Sequence, residues 1–269
     1  MSDSTPLSAE LKPGDVYWYF ALACGITWSL DLPVALAWGR HLEPPSYALP
    51  LTGLGALGPT LAALLVAGRR HALRSVFGRW RTQPAWILIA LLIPLALHLP
   101  ATMTEVALGG QPAHWFYPPV KPEHFAALVM FSFGEEFGWR GLAYPQLAQR
   151  HGPVLGALMV GTVWGVWHFG MKFTPEHGAP DPLEFVEFVA ELAVYSIVAA
   201  WVFERGNFSM AVAVAFHAGG HLDNIYRAPE TEVRLRALRF AVLAVAAVLA
   251  GRSLTGRRER VATPTTATG

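Results

Sequence analysis

Three short segments of the chain place ionisable residues inside otherwise apolar sequence. They read FSFGEEFGWRG, WGVWH and FHAGGH. Their ionisable residues are Glu135, Glu136, Arg140, His168, His217 and His221. A carboxylate beside an imidazole in a dry site can hold a water molecule and accept its proton. Further N–H donors can stabilise the oxyanion of a tetrahedral intermediate. These residue types therefore indicate a hydrolytic site.

The spacing of the first two segments brings Glu135 and His168 together if they lie on a helical hairpin. The polar stretch QRHGP (149–153) is the turn signal between them, and the midpoint of the two positions falls inside it. In an antiparallel hairpin, residues equidistant from the turn lie at one depth, here about 25 Å from the turn at 1.5 Å per residue. We therefore predict that Glu135 and His168 activate a water molecule together. Trp164 and Trp167 are interpreted as packing residues or interfacial anchors.

Four-residue spacing arranges the other candidates on shared helix faces. Glu136 and Arg140 have the offset of an ion pair within one helix, so we expect Arg140 to orient the acidic pair and hold one member ionised. His217 and His221 share a face if the helix continues through the two glycines between them. We expect these imidazoles to stabilise the oxyanion.

The same side chains offer an alternative as a metal site. Glu135, His168 and His217 could ligate zinc and leave an open position for water, with His221 nearby. Zinc proteases commonly place two ligands one helical turn apart in HExxH, whereas here the Glu and the His lie on separate predicted helices. Two adjacent carboxyl groups favour a pair in which one member stays ionised and the other keeps its proton. We therefore predict a glutamic peptidase that requires no cofactor, with a zinc metallopeptidase as the alternative.

The composition places the chain in a membrane. It is 53% hydrophobic and only 14% charged, with mean hydropathy +0.36, whereas soluble domains carry about a quarter charged residues. Eight apolar runs approach the roughly 20 residues that span a hydrocarbon core: about 17–38, 48–67, 84–100, 123–139, 153–172, 184–203, 208–222 and 237–250. We predict an all-α, polytopic membrane helix bundle of about eight transmembrane helices. A net charge of +1 argues against a nucleic-acid partner.

The distribution of arginine predicts the orientation in the membrane. The loop at 69–81 and the tail at 252–260 are rich in arginine, which places both on the cytoplasmic side. With an even number of spans, both termini are then cytoplasmic, and we expect a bacterial plasma membrane. The stretch Arg227–Arg239 is the exception, because the count of spans puts its four arginines on the outside. An acidic stripe on the sixth predicted span is interpreted as a solvated helix start: Glu184, Glu187 and Glu191.

The three segments also resemble a known set of motifs. EEFGWR, WGVWH and FHAGGH are similar, in the same order, to the EExxxR, (F/W)xxxH and HxxxN/D motifs of the CPBP family of intramembrane proteases. That family contains the CAAX prenyl endopeptidases and bacteriocin-processing or immunity-type membrane proteins. The resemblance covers residues 123–224, which we interpret as the catalytic core. Residues 1–122 would then form the N-terminal transmembrane helices, and residues 225–269 the last transmembrane helix and a cytoplasmic tail.

The resemblance implies a role for each matching residue. Glu135 would activate the water with help from His168, Glu136 and Arg140 would support it, and His217 would bind the oxyanion or the substrate carbonyl. The chain departs from the family at His221, where the family has Asn or Asp; the nearby Asp223 and Asn224 could replace it if the helix unwinds at the glycines.

The implied function is that of an intramembrane endopeptidase. Its partners would be the lipid bilayer and a membrane-associated peptide or protein substrate. The alternative is a membrane protein that retains the fold without catalysis, such as a scaffold, an immunity protein or a transporter. A transporter usually shows broken helices in two matching halves, whereas the motifs here cluster in one half of the chain.

Overall fold

The computed structural model describes residues 11–40, 42, 53–109, 115, 121–173, 181–222 and 233–262, with side chains described as far as Gly256 in the last helix. All regular elements within those residues are helical, which confirms the predicted all-α class. In chain order they are α1 (Asp15–Gly39), α2 (Gly58–Arg69), α3 (Leu73–Phe77), α4 (Pro84–Ala107), α5 (Pro122–Glu136), a π-helix (Phe137–Ala143), α6 (Tyr144–His151), α7 (Pro153–Trp167), α8 (Phe169–Lys172), α9 (Pro182–Arg205), α10 (Met210–His221) and α11 (Val233–Ala262).

Three of the described helices, α1, α4 and α9, are long and apolar enough to cross a membrane. Shorter apolar helices run over Gly53–Arg69, which includes α2, and over α7. The chain is therefore a helical membrane protein, whereas the predicted number of about eight spans stays a prediction. The predicted span at 208–222 contains only α10, whose 12 residues rise about 18 Å, less than the roughly 30 Å of a hydrocarbon core.

The turn predicted between the first two motifs is confirmed. Gly152 has a φ of +83°, which ends α6 in a conformation that glycine adopts without strain. Pro153 then occupies the first position of α7, where its missing N–H costs nothing. The first two motifs therefore lie on either side of this turn, the first on α5 and the π-helix, the second on α7.

Contacts at one end of the bundle show which segments share a side. Asp15, at the start of α1, forms an ion pair with Arg70 after α2, at 2.9 Å. The backbone N–H of Met210, at the start of α10, donates to the carbonyl oxygen of Arg79 at 2.7 Å. The predicted alternation of spans assigns these four residues to one side of the membrane, and the contacts agree. That this side is the cytoplasmic one stays a prediction.

The start of α9 contains an ion-pair contact with α11 that involves Arg236, one of the four arginines in the exceptional stretch. Arg236 lies 2.9 Å from Glu184 and 3.8 Å from Glu187. Glu184 lies in the first turn of α9, and the side chains of Glu184 and Glu187 are exposed, which agrees with the interpretation of a solvated helix start. The structure adds a basic partner on α11.

Candidate active site

Glu135 and Glu136 are the last two residues of α5, and Arg140 lies in the π-helix that follows directly. A π-helix has i→i+5 hydrogen bonds and occurs frequently at functional sites. Two glycines let this segment approach its neighbours closely. A Cβ on Gly134 would lie 2.5 Å from the carbonyl oxygen of Ala56, just before α2, and one on Gly138 would overlap the hydroxyl of Tyr19 on α1. Backbone packing against α1 and α2 therefore fixes where the acidic pair points.

Glu136 contacts two other predicted site residues, Arg140 and His217. Its Oε1 accepts a hydrogen bond from Nη1 of Arg140 at 3.0 Å and lies 2.8 Å from Nδ1 of His217. All three side chains are almost fully buried. The ion pair predicted from the four-residue spacing is confirmed. Because Nδ1 of His217 faces a carboxylate, that nitrogen carries the proton, and Glu136 thereby holds the imidazole in a fixed orientation.

Glu135 is held by two indoles. Its Oε2 accepts hydrogen bonds from Nε1 of Trp164 at 2.6 Å and from Nε1 of Trp139 at 3.4 Å. Its Oε1 lies 3.8 Å from Nε2 of His217, which is longer than a direct hydrogen bond. One oxygen of Glu135 is thus positioned by tryptophan, and the other faces an imidazole.

Trp139 and Trp164 have a polar role that the sequence interpretation missed. The interpretation of Trp164 as a packing residue or anchor omits its hydrogen bond to Glu135, which the structure supplies. A signal was present in the sequence, because a buried indole N–H usually requires an acceptor. Trp139 also stands four residues after Glu135, the offset of two neighbours on one helix face.

His168 is connected to the acidic pair through Trp164. Its Nδ1 is 2.7 Å from the carbonyl oxygen of Trp164, and its ring packs against the Trp164 and Phe188 rings at centroid distances of 6.0 and 5.2 Å. A carbonyl accepts, so Nδ1 carries the proton and Nε2 is the basic nitrogen. The α7 residue that contacts Glu135 directly is Trp164, one helical turn before His168.

The π-helix accounts for part of this one-turn difference. The calculated depth of Glu135 assumed α-helical rise throughout, whereas residues 137–143 form a π-helix with i→i+5 hydrogen bonds. Glu135 therefore lies closer to the turn at Gly152 than the calculation gives. That Glu135 and His168 act on one water molecule stays a prediction.

His217 and His221 are in direct contact. Their Nε2 atoms are 2.9 Å apart, and α10 continues through Gly219 and Gly220 to His221, which confirms the predicted shared face. An Nε2–Nε2 hydrogen bond requires one ring to donate and the other to accept, so these imidazoles share one proton. Asp223 and Asn224, the predicted substitutes, lie outside the described residues.

The zinc alternative requires ligands that converge on one point. Within the described ranges, no group of three or more His, Cys, Asp or Glu side chains is arranged to hold a metal ion. Both ring nitrogens of His217 already have partners, Glu136 and His221. Nδ1 of His168 faces a carbonyl oxygen. A zinc ion on Glu135, His168 and His217 would therefore require these side chains to reorient, and metal dependence stays a question for experiment.

The arrangement combines the parts that hydrolysis requires. Oε1 of Glu135 is directed at His217 without a direct hydrogen bond, and the carboxylate of Glu136 is neutralised by Arg140. These groups and the imidazole pair of His217 and His221 lie in one largely buried cluster. Low-dielectric surroundings strengthen the effect of such groups on developing charge.

Comparisons with known proteins identify the matching segment. Residues 118–222 match the family described as type II CAAX prenyl endopeptidase Rce1-like. The chain is also 24% identical over 139 residues to CAAX prenyl protease 2 of Methanococcus maripaludis, a match that covers 50% of this chain and 49% of that protein. The chain thus spans about half the length of this curated relative in the match. All six candidate residues lie within the segment 118–222.

Proposed function

We propose that this chain, whose residues 118–222 match the family described as type II CAAX prenyl endopeptidase Rce1-like, is an intramembrane endopeptidase of the CPBP family. It hydrolyses peptide bonds of a membrane-associated peptide or protein. The observation that carries this proposal is the buried cluster in which Glu135 has one oxygen fixed by Trp164 and the other directed at His217. Intramembrane carboxylates are costly and are usually retained for function.

The proposed reaction begins with a water molecule at the free oxygen of Glu135. Glu135 accepts the proton of this water while the water oxygen attacks the peptide carbonyl, and Nε2 of His168 assists as a second base. N–H groups of the pair His217 and His221 stabilise the oxyanion. Glu135 then gives its proton to the amide nitrogen as the tetrahedral intermediate collapses and the C–N bond breaks, which releases the amine and the new carboxyl group and restores the carboxylate of Glu135. Glu136 and Arg140 hold His217 in place throughout.

The substrate proposed for a first test is a prenylated peptide with a CAAX-type C terminus. The relative from Methanococcus maripaludis has the name CAAX prenyl protease 2, and the matched family has a corresponding description. A lipid-modified peptide would also reach the site along the membrane, where many apolar side chains of α4 and α5 are exposed, including Leu88, Leu92, Phe125 and Val129.

A search for cleavage fragments tests the activity in cells without a prior choice of substrate. Membranes from cells with the wild-type protein are compared by proteomics with membranes containing Glu135→Gln, which keeps the size of the side chain and removes its basicity. We expect at least one cleavage fragment to depend on wild-type protein. Identical fragment patterns at equal expression would contradict the proposed protease function.

The proposed mechanism requires no metal ion. Purified protein is stripped with a strong chelator, and hydrolysis of a fluorogenic peptide is measured before and after zinc is restored. We expect the same rate in all three samples. Loss of activity on stripping that returns with stoichiometric zinc would replace the glutamic mechanism with the zinc alternative, in which Glu135 is a ligand.

A further inference from the structure

One nitrogen of the Arg140 guanidinium group, Nη2, takes no part in the contacts described above. Nη1 donates to Glu136, and Cζ lies 4.7 Å from the centroid of the Trp164 ring. Nη2 is buried and has no hydrogen-bond partner among the described residues. Because the guanidinium is a rigid plane, the contacts of Nη1 and Cζ also fix the position of Nη2 within the same cluster.

A buried donor without an acceptor is unfavourable, and the cost is greater when the donor is charged. Other polar atoms of the cluster have partners: Oε2 of Glu135 with tryptophan, and Oε1 of Glu136 with His217 and Arg140. The Tyr19 hydroxyl, which also has no partner in the described part of the chain, is a neutral group, so Nη2 of Arg140 is the charged donor of the cluster without an acceptor. A buried unsatisfied donor of this kind calls for an acceptor that arrives from outside.

The ion pair with Glu136 does not itself require this second nitrogen. One oxygen of Glu136, Oε1, accepts from Nη1 of Arg140 and faces His217, so the pair is not bidentate. A lysine would provide a point charge for such a contact, whereas arginine adds a fork of fixed geometry. Nη2 is therefore not used in the ion pair with Glu136.

The imidazole pair on α10 makes a further donor valuable. His221 stands where the motif of the family has Asn or Asp, and its Nε2 is hydrogen-bonded to Nε2 of His217. The proton shared between these rings is therefore engaged in the resting site and has to shift towards the oxyanion during the reaction. A second N–H donor that is not engaged would bind the substrate carbonyl before that shift, and Arg140 offers one.

We infer that Nη2 of Arg140 donates a hydrogen bond to the backbone carbonyl oxygen of the bound peptide. Arg140 then serves two functions: Nη1 holds Glu136, and Nη2 binds the substrate and stabilises the negative charge that develops on the oxygen. This inference rests on the proposed protease function, because it names a contact within that same site.

The test compares two non-cleavable farnesylated CAAX-type peptides in protein reconstituted into nanodiscs. One has a ketone in place of the scissile amide, and the other has a methylene group there and thus offers no acceptor. We expect wild-type protein to bind the ketone about tenfold more tightly or better, the range for a hydrogen bond from a charged donor. In Arg140→Lys, which keeps the charge beside Glu136, we expect the affinity ratio to fall towards one.

Three results would overturn the inference. They are equal affinities for the two peptides in wild type, no binding of either peptide, and an unchanged ratio in a folded Arg140→Lys protein. If this variant does not fold, the double variant Glu136→Gln, Arg140→Gln replaces it, because it removes both charges together and leaves no orphaned carboxylate. Glu187→Gln on the exposed face of α9 is the matched control and should keep the wild-type ratio.

A parallel assay separates this inference from the proposed function. Hydrolysis of the cleavable farnesylated peptide is measured on the same samples. Absence of turnover together with a wild-type preference for the ketone would contradict the protease activity and leave the Arg140 contact supported. Normal turnover with an unchanged ratio in Arg140→Lys would support the activity and contradict the Arg140 contact.

Discussion

Two ion pairs of this protein have nearly the same length and differ sharply in burial. Arg140 and Glu136 are 3.0 Å apart, and each side chain is only 3% exposed. Arg236 and Glu184 are 2.9 Å apart, with side chains 31% and 45% exposed. Desolvation makes the first pair costly to form, whereas water and salt screen the second.

The difference in burial indicates different uses. The exposed pair joins α9 to α11 at the end of the bundle and contacts no candidate site residue. The buried pair lies inside a network that includes His217 and adjoins Glu135, so its charges act on the site itself. The distance between the charged groups does not reveal the role of an ion pair. The burial of the pair and the residues that surround it do.

Arg140→Ala should have the largest effect on stability. It leaves the Glu136 carboxylate buried without its cation, which typically costs about 3–5 kcal/mol, and it should remove activity as well. Thermal unfolding in detergent measures the change. An unchanged unfolding temperature would mean that water reaches Arg140 and that the burial argument is wrong.

Trp164→Phe should have an intermediate effect, and mainly on the rate of hydrolysis. It keeps an aromatic ring beside His217 and removes the N–H that holds Oε2 of Glu135. A hydrogen bond to a charged group is worth about 1.5–3 kcal/mol, so we expect a rate loss of roughly tenfold to a hundredfold.

The matched control for this change is Trp201→Phe, which removes an indole N–H bonded to Ser253, away from the site. Peptide hydrolysis by the two variants is measured at equal protein concentration. Equal losses in both would show that the tryptophans act through packing alone.

His221→Asn should be tolerated. An amide can donate to Nε2 of His217 as His221 does, and it restores the residue type of the family motif. We expect activity equal to or above that of wild type, whereas His221→Ala, without a donor, should be slower. Complete inactivation by Asn would show that the imidazole of His221 has a role of its own, such as metal binding.

Arg236→Ala should have the smallest effect. Exposed pairs contribute about 1 kcal/mol or less, so we expect a small fall in unfolding temperature and normal hydrolysis. Raised salt should reduce the difference in unfolding temperature between wild type and Arg236→Ala further, because exposed charges are screened. A loss comparable to that of Arg140→Ala would remove the contrast between the two pairs.

Local spacing predicted several parts of the site correctly. The Glu136–Arg140 pair, the shared face of His217 and His221, and the turn at Gly152 all depend on residues within five positions of one another. Regular helix geometry suffices for such contacts.

Features set by distant segments were not predictable in this way. The end of α5 packs through Gly134 against the residues before α2, and the π-helix packs through Gly138 against α1; the sequence alone does not give these contacts. Likewise, Glu184 and Arg236 are 52 positions apart, so each charge was interpreted without its partner. Trp164 was assigned to packing because its acceptor, Glu135, lies on another helix.

The most direct test of the account is hydrolysis of a quenched farnesylated CAAX-type peptide by purified protein in liposomes. Wild type is compared with Glu135→Gln and with the control Glu187→Gln, and thermal unfolding confirms that all three are folded. We predict that the wild type and the control cleave the peptide equally, and that Glu135→Gln is slower by roughly 100-fold to 10,000-fold, the range for loss of a general base. Cleavage by folded Glu135→Gln at the wild-type rate would contradict the claim that Glu135 activates the water.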